Sequence, residues 1–93
     1  MFKIEKNITF NDSLLSILKY IAKDSPIRAK NFKIQLDIKI KNISNMPFKA
    51  RQSFHFDDKN TRDLIFKGYT IPYYIDKNLS IIVILDIFKW QNK

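Results

Sequence analysis

The 93-residue sequence contains no cysteine, a single glycine, three prolines and a single histidine. Without cysteine the chain forms neither a disulfide nor a thiolate metal site, which is typical of proteins from a reducing compartment. One glycine excludes a glycine-rich phosphate loop. The lone histidine, His55, and the scattered acidic residues show no metal-ligand spacing. We therefore expect neither a metal ion nor another cofactor.

Long apolar segments are also missing. The most apolar run, residues 81–87, is interrupted by Asp86 and is far shorter than the roughly 20 residues of a membrane-spanning helix. Residues 1–5 alternate charged and apolar side chains, unlike a signal peptide. The chain is 45% hydrophobic, which suits one domain over residues 1–93 with a modest core. We expect a soluble, cytoplasmic protein with no membrane partner.

The charge is strongly unbalanced, with 17 basic against 9 acidic residues and a net charge of +8. A basic protein favours an acidic partner such as nucleic acid, a ribosome or an acidic protein. Alternatively, part of the lysine excess results from coding bias, because the abundance of Lys, Ile, Asn and Phe is typical of an AT-rich genome. The three arginines, Arg28, Arg51 and Arg62, stand out because a guanidinium binds carboxylate or phosphate in a bidentate manner.

Three strand-like runs surround Gly68. Segments 64–66, 69–75 and 81–88 are rich in β-branched and aromatic residues. Lys67-Gly68 predicts a tight hairpin turn, and residues 76–80 predict a second turn in which Asn78 takes a left-handed conformation. In the middle run, Ile71, Tyr73 and Ile75 share one face, so Tyr74 lies on the other and is the better surface candidate. Pro72 predicts a bulge or edge-like site because it lacks an N–H.

The first half of the chain predicts a strand followed by two helices. The strand covers residues 3–9, at a sheet edge. The first helix begins at one of three possible caps, Asn11, Asp12 or Ser13, and ends near Lys23. Its apolar stripe consists of Leu14, Ile17, Leu18 and Ile21. The second helix is predicted over residues 26–44, with Ser25 as its cap and Pro26 in its first position.

The second helix carries two apolar stripes. One consists of Ala29, Phe32, Leu36, Ile40 and Ile43. The other lies on roughly the opposite side and consists of Ile27, Ile34 and Ile38. We expect one stripe to pack on the sheet and the other on the first helix; the alternative is that the second stripe meets a partner protein.

Residues 45–60 form the least regular segment, with a possible short strand at residues 53–56 and a turn at residues 57–60. The predicted order is β-α-α-β-β-β. This is an α+β domain in which an antiparallel sheet is covered on one face by an N-terminal helical hairpin.

The order and spacing of these features resemble the RelE/ParE toxin superfamily of type II toxin–antitoxin systems, whose members include plasmid stabilisation proteins. The meander carries the resemblance through Arg62-Asp63-Leu64, Gly68-Tyr69, Ile71, Tyr73, Ile82-Val83-Ile84 and Phe88-Lys89. Upstream it extends to Asp24-Ser25-Pro26, Arg28-Ala29, Phe32, Met46-Pro47 and Arg51. The similarity therefore covers nearly the whole chain.

RelE-like members are ribosome-dependent mRNA endonucleases, which need an acid, a base and cations around the scissile phosphate. They typically place Arg or His, and often Tyr, on the last strand and the tail after it, where this chain has Trp90. If the chain is a nuclease, the resemblance implies catalysis by Arg62, Lys89, His55 and Arg51. The cations expected to bind a target or nucleic acid are Lys49, Arg51, Arg62, Lys67 and Lys89.

ParE-like members inhibit DNA gyrase and are not known to need an active site of their own. The long helix pair and the missing tail residues favour this branch, so we expect a growth-inhibiting toxin that binds gyrase. The resemblance also implies a cognate antitoxin that wraps the toxin. The aromatic residues expected to contact it are Tyr69, Tyr74 and Trp90.

Overall fold

Two helices and a six-stranded sheet form the fold in the computed structural model, which describes residues 2–53, 56 and 58–89. The elements in chain order are β1 (Lys3–Lys6), α1 (Ile8–Asp24), α2 (Pro26–Ile43), a 3₁₀ turn (Pro47–Lys49), β2 (Arg51–Gln52), β3 (Thr61–Phe66), β4 (Tyr69–Asp76), β5 (Ile81–Ile84) and β6 (Phe88–Lys89). The predicted α+β class, with an N-terminal helical hairpin packed on a sheet, is confirmed. Within the described residues, neither helix combines the length and apolarity needed to cross a membrane.

The sheet is antiparallel except at one edge. Its strand order is β1-β5-β4-β3-β2, and β6 pairs with the other end of β4. The β3–β4–β5 meander is antiparallel as predicted, whereas β1 runs parallel to β5. The edge position predicted for β1 is therefore correct, and its direction makes the sheet mixed.

The first helix begins earlier than predicted. Asn7, not Asn11, Asp12 or Ser13, is its cap, and the Asn7 side chain accepts a hydrogen bond of 3.3 Å from the Thr9 amide. The early start shortens β1, which ends at Lys6 instead of Thr9. It also extends the apolar stripe by one turn to Phe10, which is fully buried. The second helix begins as predicted, with the Ser25 hydroxyl accepting from the Arg28 amide at 3.2 Å.

Only one of the two stripes on α2 packs inside the fold. The predicted core stripe is buried throughout: Ala29, Phe32, Leu36, Ile40 and Ile43. The second stripe faces outward, with Ile27, Ile34 and Ile38 exposed to 73%, 48% and 56%. The expectation that both stripes are covered within the chain is therefore wrong. Helix α1 lies beside α2 and packs on the same sheet face, so it leaves the outer side of α2 bare.

The Lys67-Gly68 turn is confirmed. Both residues have positive φ, 49° and 84°, as a two-residue type I′ hairpin requires. The second turn differs from the prediction, because Ser80 and not Asn78 is left-handed, with φ of 55°. The Asp76 carboxylate accepts a hydrogen bond from the Leu79 amide at 3.0 Å, which stabilises this turn.

The last predicted strand, residues 81–88, is interrupted opposite Pro72. Strand β5 ends at Ile84 and β6 begins at Phe88, and both pair with β4 on the same side. The Leu85 amide donates to the Pro72 carbonyl at 2.9 Å, so the backbone of Pro72 faces the interruption. Because a strand residue directs its N–H and C=O to the same neighbour, the missing proline N–H falls where the pairing stops. The predicted irregular site at Pro72 is thus observed in its neighbouring strand.

The connection between α2 and β3 contains a shorter strand than predicted, and at a different place. Strand β2 covers Arg51–Gln52 and pairs with Asp63 and Arg62. Of the predicted strand at 53–56, residues 54 and 55 lie outside the described part of the chain, while Ser53 still donates to the Thr61 carbonyl at 2.8 Å. The following turn is stabilised by the Asp58 carboxylate, which accepts from the Asn60 amide at 2.8 Å.

Candidate binding cleft

A cleft of about 450 Å³ opens between the helices and the tip of the β3–β4 hairpin. Three cations from three different elements line it: Arg28 of α2, Lys67 of the turn and Lys89 of β6. The remaining lining residues are Tyr20, Ile21, Asn31, Phe32, Gln35 and Tyr69. Since no Asp or Glu of the described residues lines it, the cleft is suited to a ligand with clustered negative charge.

The floor of this cleft is a packed aromatic group. Phe32 of α2 makes edge-to-face contacts with Phe66 and Tyr69, at centroid distances of 5.2 and 5.5 Å. Tyr69 pairs with Lys89 across the β4–β6 ladder. Because pairing with β4 resumes in β6 after the interruption opposite Pro72, Lys89 lies beside Tyr69. Tyr69 is half-buried, and Tyr20 across from it is 74% exposed. The aromatic contacts position Tyr69, whose ladder partner Lys89 is one of the three cations of the cleft.

A second groove continues from the cleft along α1. It has a volume of about 500 Å³ and shares Tyr20, Tyr69 and Lys89 with the cleft. Its other walls are formed by Ser13, Ser16, Ile17, Ile87 and Phe88. The basic cleft is therefore bordered by a more apolar trough, and an extended ligand would contact both.

Arg62 lies at the far end of β3 and has a different environment. Its Nη1 atom donates to the Ala50 carbonyl at 3.0 Å, and its guanidinium lies 5.1 Å from the centre of the Phe48 ring. Lys77 approaches the same ring at 4.9 Å. Lys49 is exposed in the adjoining 3₁₀ turn. Through these contacts, the Arg62 side chain holds the segment around Phe48 and Ala50 against the sheet.

Arg51 lies on the opposite face of the sheet from Arg62. It pairs in register with Asp63, and because successive strand residues alternate faces, Asp63 points away from Arg62. The Arg51 guanidinium lies 3.7 Å from the Asp63 carboxylate, whose side chain is fully buried. Arg51 therefore neutralises a buried carboxylate.

The residues predicted to bind a target thus fall into separate groups. Lys67 and Lys89 are together, with Tyr69, at the hairpin tip. Arg62, near the start of β3, lies about 13 Å along the strand from Phe66 at its end, so Arg62 is not part of the group at the hairpin tip. Tyr74 lies on the face opposite the helices, half-buried between Thr61 and Val83. The predicted residues His55 and Trp90 lie outside the described residues.

Tyr73 is the most perturbed ionisable group at the Arg62 end. Its hydroxyl donates to the Pro47 carbonyl at 2.6 Å from a buried position in the core. Burial raises the pKa of Tyr73 to about 12, and the positive charge of Arg62 opposes part of this rise. The phenol is therefore neutral at physiological pH and acts as a structural hydrogen-bond donor.

Sequence reasoning did not place Arg28, Tyr20, Asn31 or Gln35 in a site. Arg28 was singled out as one of three arginines, but nothing local joins it to Lys67 and Lys89. Only Tyr20 could have been noticed as a surface candidate, because it is an aromatic residue outside the apolar stripe of α1. Among the described residues, no three His, Asp or Glu side chains are grouped as metal ligands.

Comparison with known proteins gives a family match and several similar solved structures. Residues 7–91 match the family model described as ParE toxin of type II toxin-antitoxin system, parDE. The chromosomal ParDE toxin–antitoxin system from P. aeruginosa aligns at 15% identity with a TM-score of 0.78, covering 98% of both chains. No single curated protein sequence matches significantly.

Two further structures share the fold at lower similarity. The RelBE2 toxin–antitoxin complex from Mycobacterium tuberculosis aligns at 15% identity with a TM-score of 0.64, covering 98% of this chain and 93% of the other. The isolated E. coli RelE toxin aligns at 10% identity with a TM-score of 0.64, covering 100% and 88%.

Proposed function

Because the chain belongs to the ParE toxin family of type II toxin–antitoxin systems, we propose that it inhibits growth by binding DNA gyrase. As a toxin of such a system, it has a cognate antitoxin as its partner. We expect both to act in the cytoplasm, where gyrase is found. No cofactor is needed for inhibition by binding.

The dispersal of the candidate catalytic cations is the observation that carries this proposal. A nuclease needs its cations around one phosphate to stabilise the charge of the transition state. Arg62 is instead bonded to the backbone at Ala50, and Arg51 is paired with Asp63 on the other sheet face. Lys67 and Lys89 lie at the opposite end of β3 from Arg62. This arrangement favours a binding toxin over an enzyme.

A supercoiling assay tests the proposal directly. Purified toxin is added to gyrase, ATP and relaxed plasmid, and the conversion to supercoiled plasmid is followed on a gel. We expect inhibition that increases with toxin concentration and is relieved when the antitoxin is added in equal amount. Gyrase that keeps full activity at a large excess of folded toxin would contradict the proposed target.

The alternative function is a RelE-like, ribosome-dependent mRNA endonuclease. The basic cleft is the observation in its favour, because cations next to tyrosines suit a phosphate backbone and stacked bases. Primer extension on translated messages would then show cuts in cells that express the toxin. Under this alternative, the combined change of Arg62, Lys89 and His55 to alanine abolishes the cuts in a folded protein. Cuts that persist in the triple variant would exclude these residues as the catalytic site.

A further inference from the structure

The basic cleft brings together cations that lie far apart in the sequence. Arg28 comes from α2, Lys67 from the hairpin turn and Lys89 from β6. No described residue that lines the cleft carries a carboxylate. Arg28 does contact Asp24 at 3.9 Å in an adjoining depression, but both side chains are largely exposed. Such an exposed pair is weak, so Arg28 remains available to a ligand with clustered negative charge.

The same cleft carries groups that suit a nucleobase. Asn31 and Gln35 both line it and are four residues apart, so their side chains lie on one side of α2, one turn apart. A carboxamide offers a donor and an acceptor to the edge of a base, as it does to adenine. Tyr20 of α1 is 74% exposed at the cleft, and its ring offers a face on which a base stacks.

The distribution of charge favours a mononucleotide over a nucleic-acid strand. A strand needs cations that follow its backbone along the whole groove. In the groove that continues from the cleft along α1, the only charged residue among the described lining residues is Lys89, which already belongs to the cleft. Three cations around one volume of about 450 Å³ suit the clustered charge of a polyphosphate. This volume lies within the range of small-ligand sites, roughly 300–1,000 Å³.

We propose that the basic cleft is a binding site for a nucleoside polyphosphate such as ATP. Arg28, Lys67 and Lys89 bind the phosphates. Because the chain has a single glycine, these side chains take the place of the backbone amides of a glycine-rich loop. The base stacks on Tyr20, and the carboxamides of Asn31 and Gln35 bind its edge. The proposal concerns binding alone, without a covalent step, and does not depend on gyrase as the target.

Calorimetric titration of the purified toxin with ATP, inorganic tripolyphosphate and adenosine tests the site. We expect ATP to bind one-to-one with a Kd below about 100 μM at about 0.15 M salt. Tripolyphosphate lacks the base and adenosine lacks the charges, so each should bind at least about 10-fold more weakly than ATP. Equal affinity for ATP and tripolyphosphate would show that the base is not recognised, and the proposal would be wrong.

A pair of variants tests the cations. The cleft variant is Lys67→Asn with Lys89→Gln, because asparagine suits the positive φ at position 67 and preserves the turn. Its control is Lys3→Gln with Lys59→Asn, which removes the same charge at exposed positions that do not line the cleft. We expect the Kd for ATP to rise at least about 30-fold in the cleft variant and less than about 3-fold in the control. Equal losses in both would reduce the binding to net charge and contradict a defined site.

Two changes of Tyr20 test the stacking. Tyr20→Ala removes the ring and keeps high helix propensity, whereas Tyr20→Phe keeps the ring and removes only the hydroxyl. We expect the affinity for ATP to fall about 10-fold with alanine and to stay within about 3-fold of wild type with phenylalanine. Circular dichroism checks that both variants are folded. Wild-type affinity in folded Tyr20→Ala would contradict the proposed place of the base.

Two further results would overturn the proposal as a whole. The first is the absence of ATP binding by folded wild-type toxin. The second is a short fluorescent RNA that binds wild type more tightly than ATP does, loses its affinity in the cleft variant and is not displaced by ATP. That result would assign the cleft to nucleic acid. Gyrase supercoiling is scored in a separate assay, so an uninhibited gyrase would contradict the proposed target and leave the nucleotide result intact.

Discussion

The hydroxyl of Tyr73 donates a 2.6 Å hydrogen bond to the carbonyl oxygen of Pro47, 26 positions earlier in the chain. This bond joins the central strand of the sheet to the turn that follows α2. Together with the Arg62 contact to Ala50, it fixes the segment that leads into β2. The segment contains no long regular element of its own, so these side chains hold it in place.

Removing the Tyr73 hydroxyl should destabilise the protein. Tyr73→Phe keeps the buried ring but leaves the Pro47 carbonyl without its donor, so we expect a loss of about 1–2 kcal/mol in the free energy of unfolding. Urea denaturation measures the change. Tyr20→Phe, at a 74% exposed position, is the control and should change stability by less than about 0.5 kcal/mol. Equal stability of the two variants would show that the bond contributes nothing.

The same residue predicts a pH dependence at high pH. Burial raises the pKa of Tyr73 to about 12 from an ordinary value of 10.0. Above the ordinary value, the unfolded chain releases this proton more readily than the folded one, so ionisation favours unfolding. Stability attributable to Tyr73 should therefore be complete below the unfolded pKa and decline as the pH rises through the folded pKa. Thermal melts in this alkaline range should show a smaller decline for Tyr73→Phe than for wild type.

Arg62 should contribute to stability more than to chemistry. Arg62→Ala removes the hydrogen bond to Ala50 and the packing on Phe48, for which we expect a loss of about 1–2 kcal/mol in the free energy of unfolding. Lys59→Ala, in an exposed turn, is the control. Growth inhibition by Arg62→Ala should recover at lower temperature, in step with its folded fraction. A variant with wild-type stability and no toxicity would indicate a direct functional role for Arg62 instead.

Gly68 is required by its backbone conformation and not by lack of space. A Cβ atom at this position would meet no heavy atom within 4 Å, yet φ is +84°. Gly68→Ala should therefore lower stability by about 1–2 kcal/mol through left-handed strain alone. Lys67→Asn should act in the opposite direction, because Asn-Gly is the preferred pair for this turn. Chemical denaturation of both variants checks the predicted difference in sign.

Two residues of α2 should respond very differently to truncation. Leu36 is fully buried and Ile38 is 56% exposed. We expect Leu36→Ala to cost about 2–5 kcal/mol of stability and Ile38→Ala less than about 0.5 kcal/mol. Denaturation midpoints of the two variants provide the measurement. A large loss in Ile38→Ala would show that the second apolar stripe of α2 contributes to the core.

Features set by local chemistry were predictable from the sequence. The Lys67-Gly68 turn and the Ser25-Pro26 helix start depend on a few adjacent residues and are observed where predicted. The start of α1 was missed because Asn7 competes with three later polar residues as a cap, and only the burial of Phe10 decides between them. The direction of β1 and the interruption after Ile84 depend on pairing with distant strands, which local patterns do not encode.

The candidate site was predictable only in part, for the same reason. The sequence resemblance predicts Lys67 and Lys89 as target-binding cations and Tyr69 as an antitoxin contact. Their meeting with Arg28 depends on how α2 lies across the sheet, which no spacing in the sequence reveals. The exposure of Ile27, Ile34 and Ile38 likewise depends on where α1 packs. A pattern can show that a helix has two apolar sides, but only packing decides which side is covered.

The parallel edge of the sheet can form only after both of its strands, β1 and β5, have been synthesised. Lys3 of β1 pairs with Ile81 of β5, 78 positions later. Strand β1 therefore cannot pair within the sheet until β5 has been synthesised. Contacts this distant along the chain form late, because the intervening loop must first be ordered. A ribosome that releases the chain before Ile81 would leave β1 without its place in the sheet. Such a premature product would lack the parallel edge of the sheet, because among the described residues β1 has no other strand with which to pair in this fold.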